Sequence, residues 1–243
     1  MKLNCRVPVY FFISILSLKT LCAQDSISSQ LSTSNAIAFY NKFIGEDAHL
    51  YNGSEHAPYD FRIKGHPYFE SNLLQSGFVN YDSVLYQHIN MAYDIVRDEL
   101  TANRYNQNFR VTLVNEKIAY FSILNHYFVR IIQDSINRST ITTGFYDQLY
   151  NGKLKLFAKR QKKIIETVTA DEGDKLWFEE NDRYFILRNN KYFSVKDKKD
   201  LFDFFKERKK DLKKYLRKNK IKFKDDPELA ILKSVEYSDQ LKN

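Results

Sequence analysis

Short alternating segments between Gly77 and Val195 constrain the fold of this chain more than any other feature of its sequence. Apolar and polar residues alternate within each segment, which is typical of half-buried β-strands. Pairs of turn-forming residues separate the segments: Asp82 and Ser83, Asn115 and Glu116, Asn151 and Gly152, Asn181 and Asp182, and Asn189 and Asn190. Asparagine tolerates the positive φ angles of two-residue hairpin turns. Successive hairpins predict an antiparallel β-meander, either a twisted sheet or a partly closed barrel.

Helical periodicity precedes these strands. Ile37, Tyr40 and Ile44 recur at spacings of three and four residues, and Gly45 follows as a plausible stop. This pattern predicts an N-terminal helix. Within the strand region, residues 159–170 are compatible with either a short helix or a strand.

The C-terminal residues predict a pair of helices. Asp197 and Asp200 favour the start of a basic helix, because carboxylates are stabilising near a helix N-terminus. The apolar residues on one face of this helix are Leu201, Phe205, Leu212, Tyr215 and Leu216. Asp226 caps a final helix that has Pro227 at its first position. The apolar edge of the final helix comprises Leu229, Leu232 and Val235.

The predicted fold class is therefore α+β, an antiparallel meander with an N-terminal helix and a C-terminal basic helical pair. No low-complexity linker divides the chain. We expect a signal peptide at residues 1–23, a β-rich body with its N-terminal helix at residues 24–195, and a helical tail at residues 196–243 that packs on the body.

The first residues have the three parts of a secretory signal peptide. Lys2 and Arg6 precede an apolar run, and Ala23 ends the segment before a polar stretch. The run is shorter than the roughly 20 apolar residues that a transmembrane helix needs. We expect cleavage after Ala23 and no transmembrane span in the mature chain.

Both cysteines, Cys5 and Cys22, lie in this segment. The mature chain would then have no disulfide, no cysteine nucleophile and no thiolate metal ligand. Lipid attachment at Cys22 is the alternative, but a lipoprotein signal requires small residues before its cysteine, and Lys19 and Leu21 are large.

Positive charge is concentrated in the tail. The whole chain has a net charge of +8, and residues 196–224 contain 14 basic and 5 acidic side chains. Attraction to an anionic surface is the functional interpretation of this segment, and a solvated helix face is the structural one. The residues that we predict to contact an anionic surface are Lys206, Arg208, Lys209, Lys210, Lys213, Lys214, Arg217 and Lys218.

The tetrapeptide LYNG occurs twice, at residues 50–53 and 149–152. The sequences that flank the two copies do not align. The second copy predicts a hairpin turn with Gly152 at positive φ, and the first predicts a turn that leads the chain onto the sheet. We interpret the repeat as turn chemistry used twice.

Several segments together resemble a group of uncharacterised secreted proteins of Bacteroidetes-type bacteria. The stretches that carry the resemblance are LYNGSEHAPYDFRIKGHPYF, NMAYDIVRDEL, TGFYDQLYNGKLKLFAKR and KKDLFDFFKERKKDLKKYLRKNKIKFKDD. The resemblance implies a β-rich body with a basic C-terminal helical tail and export across a bacterial inner membrane. It implies no activity and no catalytic residue.

Residues suited to catalysis or metal binding are scattered. The histidines are His49, His56, His66, His88 and His126, without the spacing of a zinc site. Grouped carboxylates are Asp94, Asp98 and Glu99, and Glu179, Glu180 and Asp182. The sequence has no serine nucleophile elbow and no glycine-rich phosphate loop. We assign no catalytic residue, no metal and no cofactor, and we expect a non-enzymatic protein.

Aromatic residues are abundant in the predicted strands, where they favour packing between neighbouring strands. These residues are Tyr81, Tyr86, Tyr93, Tyr120, Phe121, Tyr127, Phe128, Phe145, Tyr146, Tyr150 and Phe157. The alternative is an aromatic-lined pocket in a β-rich hydrolase or in a carrier of lipid, glycan or peptide.

Together these observations predict an exported bacterial protein, periplasmic or peripherally associated with the cell envelope. We expect its basic tail to dock on an anionic envelope surface or on an envelope protein. We do not expect nucleic acid as a partner, because an exported protein is in a different compartment.

Overall fold

A computed structural model describes residues 49–103, 110–133, 141–169 and 173–240. The predicted signal peptide and N-terminal helix lie outside the described residues. The strands are β1 (Ser54–Glu55), β2 (Gln75–Tyr81), β3 (Val84–Asp94), β4 (Glu99–Asn103), β5 (Arg110–Thr112), β6 (Ile118–Ile123), β7 (His126–Ile131), β8 (Gly144–Asn151), β9 (Lys155–Lys159), β10 (Lys162–Thr169), β11 (Gly173–Glu180), β12 (Arg183–Arg188) and β13 (Lys191–Val195). The helices are α1 (Lys198–Phe204), α2 (Lys209–Lys218) and α3 (Pro227–Gln240).

Eleven of these strands form one antiparallel sheet in the order β1-β5-β4-β3-β2-β6-β7-β8-β9-β12-β13. Its outer strands, β1 and β13, do not pair with each other within the described residues, so the sheet is open. The remaining strands, β10 and β11, pair as a separate hairpin. Residues 162–169, which the sequence leaves ambiguous between helix and strand, form strand β10. The α+β class is confirmed for the sheet and the C-terminal helices.

Two of the predicted hairpin turns are confirmed. Asp82 and Ser83 connect β2 to β3 with φ angles of 53° and 66°. Asn189 and Asn190 connect β12 to β13 with φ angles of 49° and 59°. Positive φ at both central residues gives the turn the twist that antiparallel strands require.

Two other predicted turns do not close hairpins. Asn115 and Glu116 lie in a 3₁₀ turn, after which β6 pairs with β2 and β7 instead of β5. Asn181 and Asp182 follow the separate hairpin, and β12 pairs with β9 and β13. The strands themselves were predicted, but their partners depend on which distant segments bury the same face.

The central part of the sheet curls around an aromatic core. Strands β3 and β8 are four positions apart, which would be roughly 19 Å in a flat sheet at 4.8 Å per strand. The rings of Tyr93 on β3 and Phe145 on β8 are nevertheless only 6.0 Å apart between centroids. Phe121 and Phe128 stack beside them at 4.8 Å, and all four side chains are buried. The curled sheet therefore encloses its own core.

The second LYNG copy forms a turn, but not the two-residue turn that the sequence predicts. Gly152 does not have a positive φ angle. The main-chain N–H groups of Lys153 and Leu154 donate to the carboxylate of Asp239 on α3, at 3.0 and 3.1 Å. A Cβ on Gly152 would lie 2.3 Å from Oδ2 of Asp239. Glycine is favoured here because this carboxylate and the ring of Tyr150 approach it closely, and not because of its backbone angle.

The first LYNG copy is also a turn, as predicted. Its first two residues belong to the 3₁₀ turn His49–Tyr51, where Leu50 is buried, and β1 follows. A Cβ on Gly53 would lie 1.8 Å from the carbonyl oxygen of Thr112 on β5. Both glycines thus permit a close approach, in two different turns.

A second apolar cluster holds the tail against the end of the sheet. It combines Leu156 of β9 and Ile186 of β12 with residues of all three helices. The predicted apolar face is confirmed, since Leu201, Phe205, Leu212 and Leu216 are buried and Tyr215 packs against them. On α3, Val235 is buried as predicted, whereas Leu229 is exposed and Ala230 and Ile231 are buried in its place.

The predicted basic helix is broken into two. Asp197 caps α1 by accepting from the N–H groups of Lys199 and Asp200, which confirms the predicted start. Helix α1 ends at Phe204, and a 3₁₀ turn at Lys206–Arg208 precedes α2. Asp226 accepts from the N–H of Leu229, so the predicted cap of the final helix is confirmed.

Candidate functional site

The exposed side of α2 is the most strongly charged surface element of the tail. Leu212 and Leu216 lie one turn apart and are buried, and a helix places residues at i, i+4 and i+7 on one side. Lys210, Lys214 and Arg217 have this spacing on the opposite side and are exposed. Lys213 and Lys218 flank them and are also exposed. We call Lys210, Lys213, Lys214, Arg217 and Lys218 the basic face.

The basic face is poorly neutralised within the chain. Asp211 is the one acidic residue of α2. Among the described residues, none of the five cations of the basic face forms an ion pair, whereas Lys222 elsewhere in the tail lies 3.5 Å from Asp225. Arg217 and Lys218 occupy the last turn, where positive charge stabilises the helix dipole. The face therefore presents uncompensated positive charge to solvent.

Three predicted contact residues, Lys206, Arg208 and Lys209, lie apart from the basic face. Arg208 is partly buried and donates from Nη1 to the carbonyl oxygen of Ser238 on α3, at 3.0 Å. Lys209 lies 3.7 Å from the carboxylate of Asp203. Lys206 is exposed in the 3₁₀ turn. The structure thus brings five of the eight predicted residues onto one helix face.

A buried guanidinium joins the sheet to the tail. Arg160 donates from Nε and Nη2 to Asp147 at 3.0 and 2.7 Å, and from Nη1 to Asp182 at 2.8 Å. It also makes two hydrogen bonds to Glu228, in the first turn of α3. Burial alone would lower the pKa of Arg160, but the bonds to Glu228 and the charge of Asp147 outweigh it and raise the pKa. No sequence motif indicates this cluster, because its members are far apart in the chain.

His126 extends the same cluster. Its Nδ1 lies 2.7 Å from Oδ2 of Asp147, and its Nε2 lies 3.4 Å from Glu70. The hydrogen bond to Asp147 raises the pKa of His126. The imidazole is therefore held as part of an ion network that stabilises the fold.

A second polar network surrounds His56. Its Nδ1 lies 3.2 Å from Oγ1 of Thr112, and its Nε2 lies 3.3 Å from the hydroxyl of Tyr68. Asp94 is fully buried and accepts from the hydroxyl of Tyr59 at 2.9 Å. Burial lowers the pKa of His56, so the ring favours its neutral form. A neutral, enclosed imidazole with these partners is suited to a structural role, in which its hydrogen bonds connect Thr112 and Tyr68.

A third polar contact, between Lys159 and Asp98, stabilises the curled sheet. The ammonium of Lys159 on β9 lies 2.6 Å from Oδ2 of Asp98, which follows β3 in the chain. Asp98 also accepts from the hydroxyl of Tyr93. Burial lowers the pKa of Lys159. The side chain of Lys159 is 3% exposed, so this lysine is enclosed by the fold.

The grouped carboxylates of the sequence are held in different ways. Asp94, Asp98 and Asp182 accept hydrogen bonds in three separate networks, and Glu179 and Glu180 are exposed. Within the described part of the chain, no three His, Cys, Asp or Glu side chains are arranged to hold a metal ion. His49 and His88 are exposed, and His66 stacks on Tyr68.

Most of the strand aromatics are buried, either in the aromatic core of the curled sheet or in a smaller apolar cluster that contains Tyr146 and Phe157. The buried members of the predicted set are Tyr81, Tyr86, Tyr93, Phe121, Phe128, Phe145, Tyr146 and Phe157. Tyr120, Tyr127 and Tyr150 are partly exposed. Core packing therefore accounts for most of the aromatic content of the strands.

Comparison with known protein families, with curated proteins and with solved structures finds no match to this chain. In the described residues, no helix combines the length and apolar character needed to cross a membrane.

Proposed function

We propose that this protein is exported and is periplasmic or peripherally held at the cell envelope, where the basic face docks it on an anionic phospholipid surface. The observation that supports the proposal is the row of five exposed cations on α2 without ion-pair partners in the described chain. Each basic residue near an anionic membrane contributes about 1 kcal/mol, so five can hold a protein reversibly at such a surface.

The arrangement favours a surface over a pocket ligand. Lysine and arginine side chains on one helix face are long and mobile, and their charge acts over about 8 Å at physiological ionic strength. A membrane presents many anionic headgroups in a plane, which such a face can meet without a defined cavity. The buried side of α2, which contains Leu212 and Leu216, fixes the helix on the body and orients the basic face outward.

Vesicle co-sedimentation tests the proposal. The full chain is mixed with neutral vesicles and with vesicles that contain an anionic phospholipid, at low and high salt. The variant K210E/K214E/R217E should bind anionic vesicles more than tenfold more weakly than the parent, because three charges at the surface are reversed.

The matched control is K153E/K163E/K191E, which makes the same change in net charge with exposed lysines of the turn after β8, of β10 and of β13. This control should retain most of the binding. Equal loss of binding in both variants would mean that net charge alone determines binding, and would contradict the proposal. Binding to neutral vesicles that salt does not weaken would also contradict the proposal.

A further inference from the structure

Three lysine ammonium groups converge on one aromatic ring at the junction of α1 and α2. The Nζ atoms of Lys198, Lys209 and Lys213 lie 5.9, 5.9 and 5.4 Å from the ring centroid of Phe202. Phe202 is only 5% exposed, so the fold covers most of its surface. All three ammonium groups thus lie within 5.9 Å of the centroid of one ring. We call these three residues the lysine triad.

The break between the two helices brings the lysine triad together. In one continuous helix, Lys198 and Lys213 would be fifteen residues and roughly 22 Å apart along the axis. The 3₁₀ turn at Lys206–Arg208 interrupts the helix, and the Nζ atoms of Lys209 and Lys213 on α2 come within 5.9 Å of the Phe202 ring centroid on α1. Lys198 is then one turn before Phe202 on α1, and Lys209 and Lys213 are one turn apart on α2.

The charge of the lysine triad is largely uncompensated. The carboxylate of Asp203 lies 3.7 Å from Lys209, and both side chains are about half exposed. Among the described residues, neither Lys198 nor Lys213 forms an ion pair. Contact with an aromatic face stabilises an exposed cation only weakly. Three like charges held near one ring repel each other, and an anion between them would relieve this repulsion.

We infer that the lysine triad binds a terminal phosphate group, as carried by a phosphomonoester or a diphosphate. Such a group has a charge of about −1.5 to −2 at neutral pH and three acceptor oxygens. Three ammonium groups supply compact point charges with several donors each, which suits phosphate. This inference rests on the proposed docking function and adds to it the chemical group that is recognised.

Titration calorimetry with inorganic pyrophosphate at constant ionic strength tests the lysine triad without a membrane. The parent chain should show saturable binding of one pyrophosphate. The variant K198Q/K209Q/K213Q should bind about tenfold more weakly, because it loses three charged contacts. The variant K210Q/K214Q/R217Q loses the same charge from the basic face and should stay within about twofold of the parent.

A variant that is expected to bind pyrophosphate more tightly separates an effect on binding from damage to the fold. D203N removes the carboxylate that competes for Lys209 and should tighten pyrophosphate binding. Equal weakening by both triple variants would mean that diffuse charge binds the anion, and would overturn the inference. An unchanged affinity in K198Q/K209Q/K213Q would overturn it as well.

Vesicles identify the source of the phosphate. Phosphatidic acid has a terminal phosphate group, whereas phosphatidylglycerol has a diester, so the two are compared at equal surface charge. A preference for phosphatidic acid that K198Q/K209Q/K213Q abolishes assigns the ligand to a lipid headgroup. Pyrophosphate binding without that preference assigns it to a soluble compound. If the parent chain shows neither pyrophosphate binding nor a preference for phosphatidic acid, the inference about the lysine triad is overturned. If the parent chain binds pyrophosphate but no anionic vesicle, only the docking proposal is overturned.

Discussion

Replacement of Arg160 by methionine should destabilise the protein strongly at neutral pH. The guanidinium makes five hydrogen bonds to Asp147, Asp182 and Glu228 and has an 8% exposed side chain. R160M removes the guanidinium from three carboxylates, of which Asp147 is the most deeply buried at 2% exposure and keeps its contact with His126. Removing one partner of a buried ion network costs about 3–5 kcal/mol. Since Asp182 and Glu228 are partly solvated, we expect about 3 kcal/mol.

Urea unfolding at pH 7, followed by circular dichroism, measures this loss. R160K keeps one charge but cannot reach all three carboxylates, so its loss should be about half as large. The double variant R160M/D147N removes the most deeply buried stranded charge and should recover part of the loss. At pH 4 the deficit of R160M should shrink, because protons neutralise the stranded carboxylates. A loss below about 1 kcal/mol at pH 7, or a double variant no more stable than R160M, would refute this account.

Three further substitutions test other contacts. The hydrogen bond to Asp147 raises the pKa of His126. The stability from this contact is therefore complete below about pH 6.5 and is lost as the pH rises through the folded-state pKa. In urea unfolding, H126Q should be less stable than the parent at pH 6 and nearly as stable as the parent at pH 9. G152A should cost about 1–2 kcal/mol by displacing the carboxylate of Asp239, and the double variant G152A/D239A should cost less than the sum of the single variants. N190G should raise the melting temperature by about 1–3 °C, because glycine is the preferred second residue of this turn, whereas N190V should lower it.

Local chemistry in the sequence predicts the strands well. Alternation and turn-forming pairs identify the sequence segments of β2 and β3 and of β12 and β13, because each of these hairpins is closed by residues adjacent in the chain. The return of β6 to β2 could not be predicted in this way. That pairing is determined by the burial of Phe121 beside Tyr93 in the curled core, and these residues are far apart in sequence.

The residues of the candidate site also divide into those that local sequence patterns predict and those that distant segments bring together. The periodicity of Leu212 and Leu216 predicts a helix with a basic outer side, so the residues of the basic face could be named from the sequence. Lys198 could not be predicted as a neighbour of Lys213, because helical periodicity predicts one continuous helix across both. Arg160 was missed for a related reason, since its three carboxylate partners come from separate elements.

The burial of Phe202 accounts for the break in the helix. In a continuous helix, Leu201, Phe205, Leu212 and Leu216 form one stripe, and Phe202 lies about 100° away from Leu201 at its edge. In the structure both Leu201 and Phe202 are buried, and full burial of a phenyl group contributes about 1.5–3 kcal/mol, enough to offset a few helical hydrogen bonds. The same break places Lys209 and Lys213 over that ring. The packing of Phe202 is thus linked both to the break between α1 and α2 and to the position of the lysine triad.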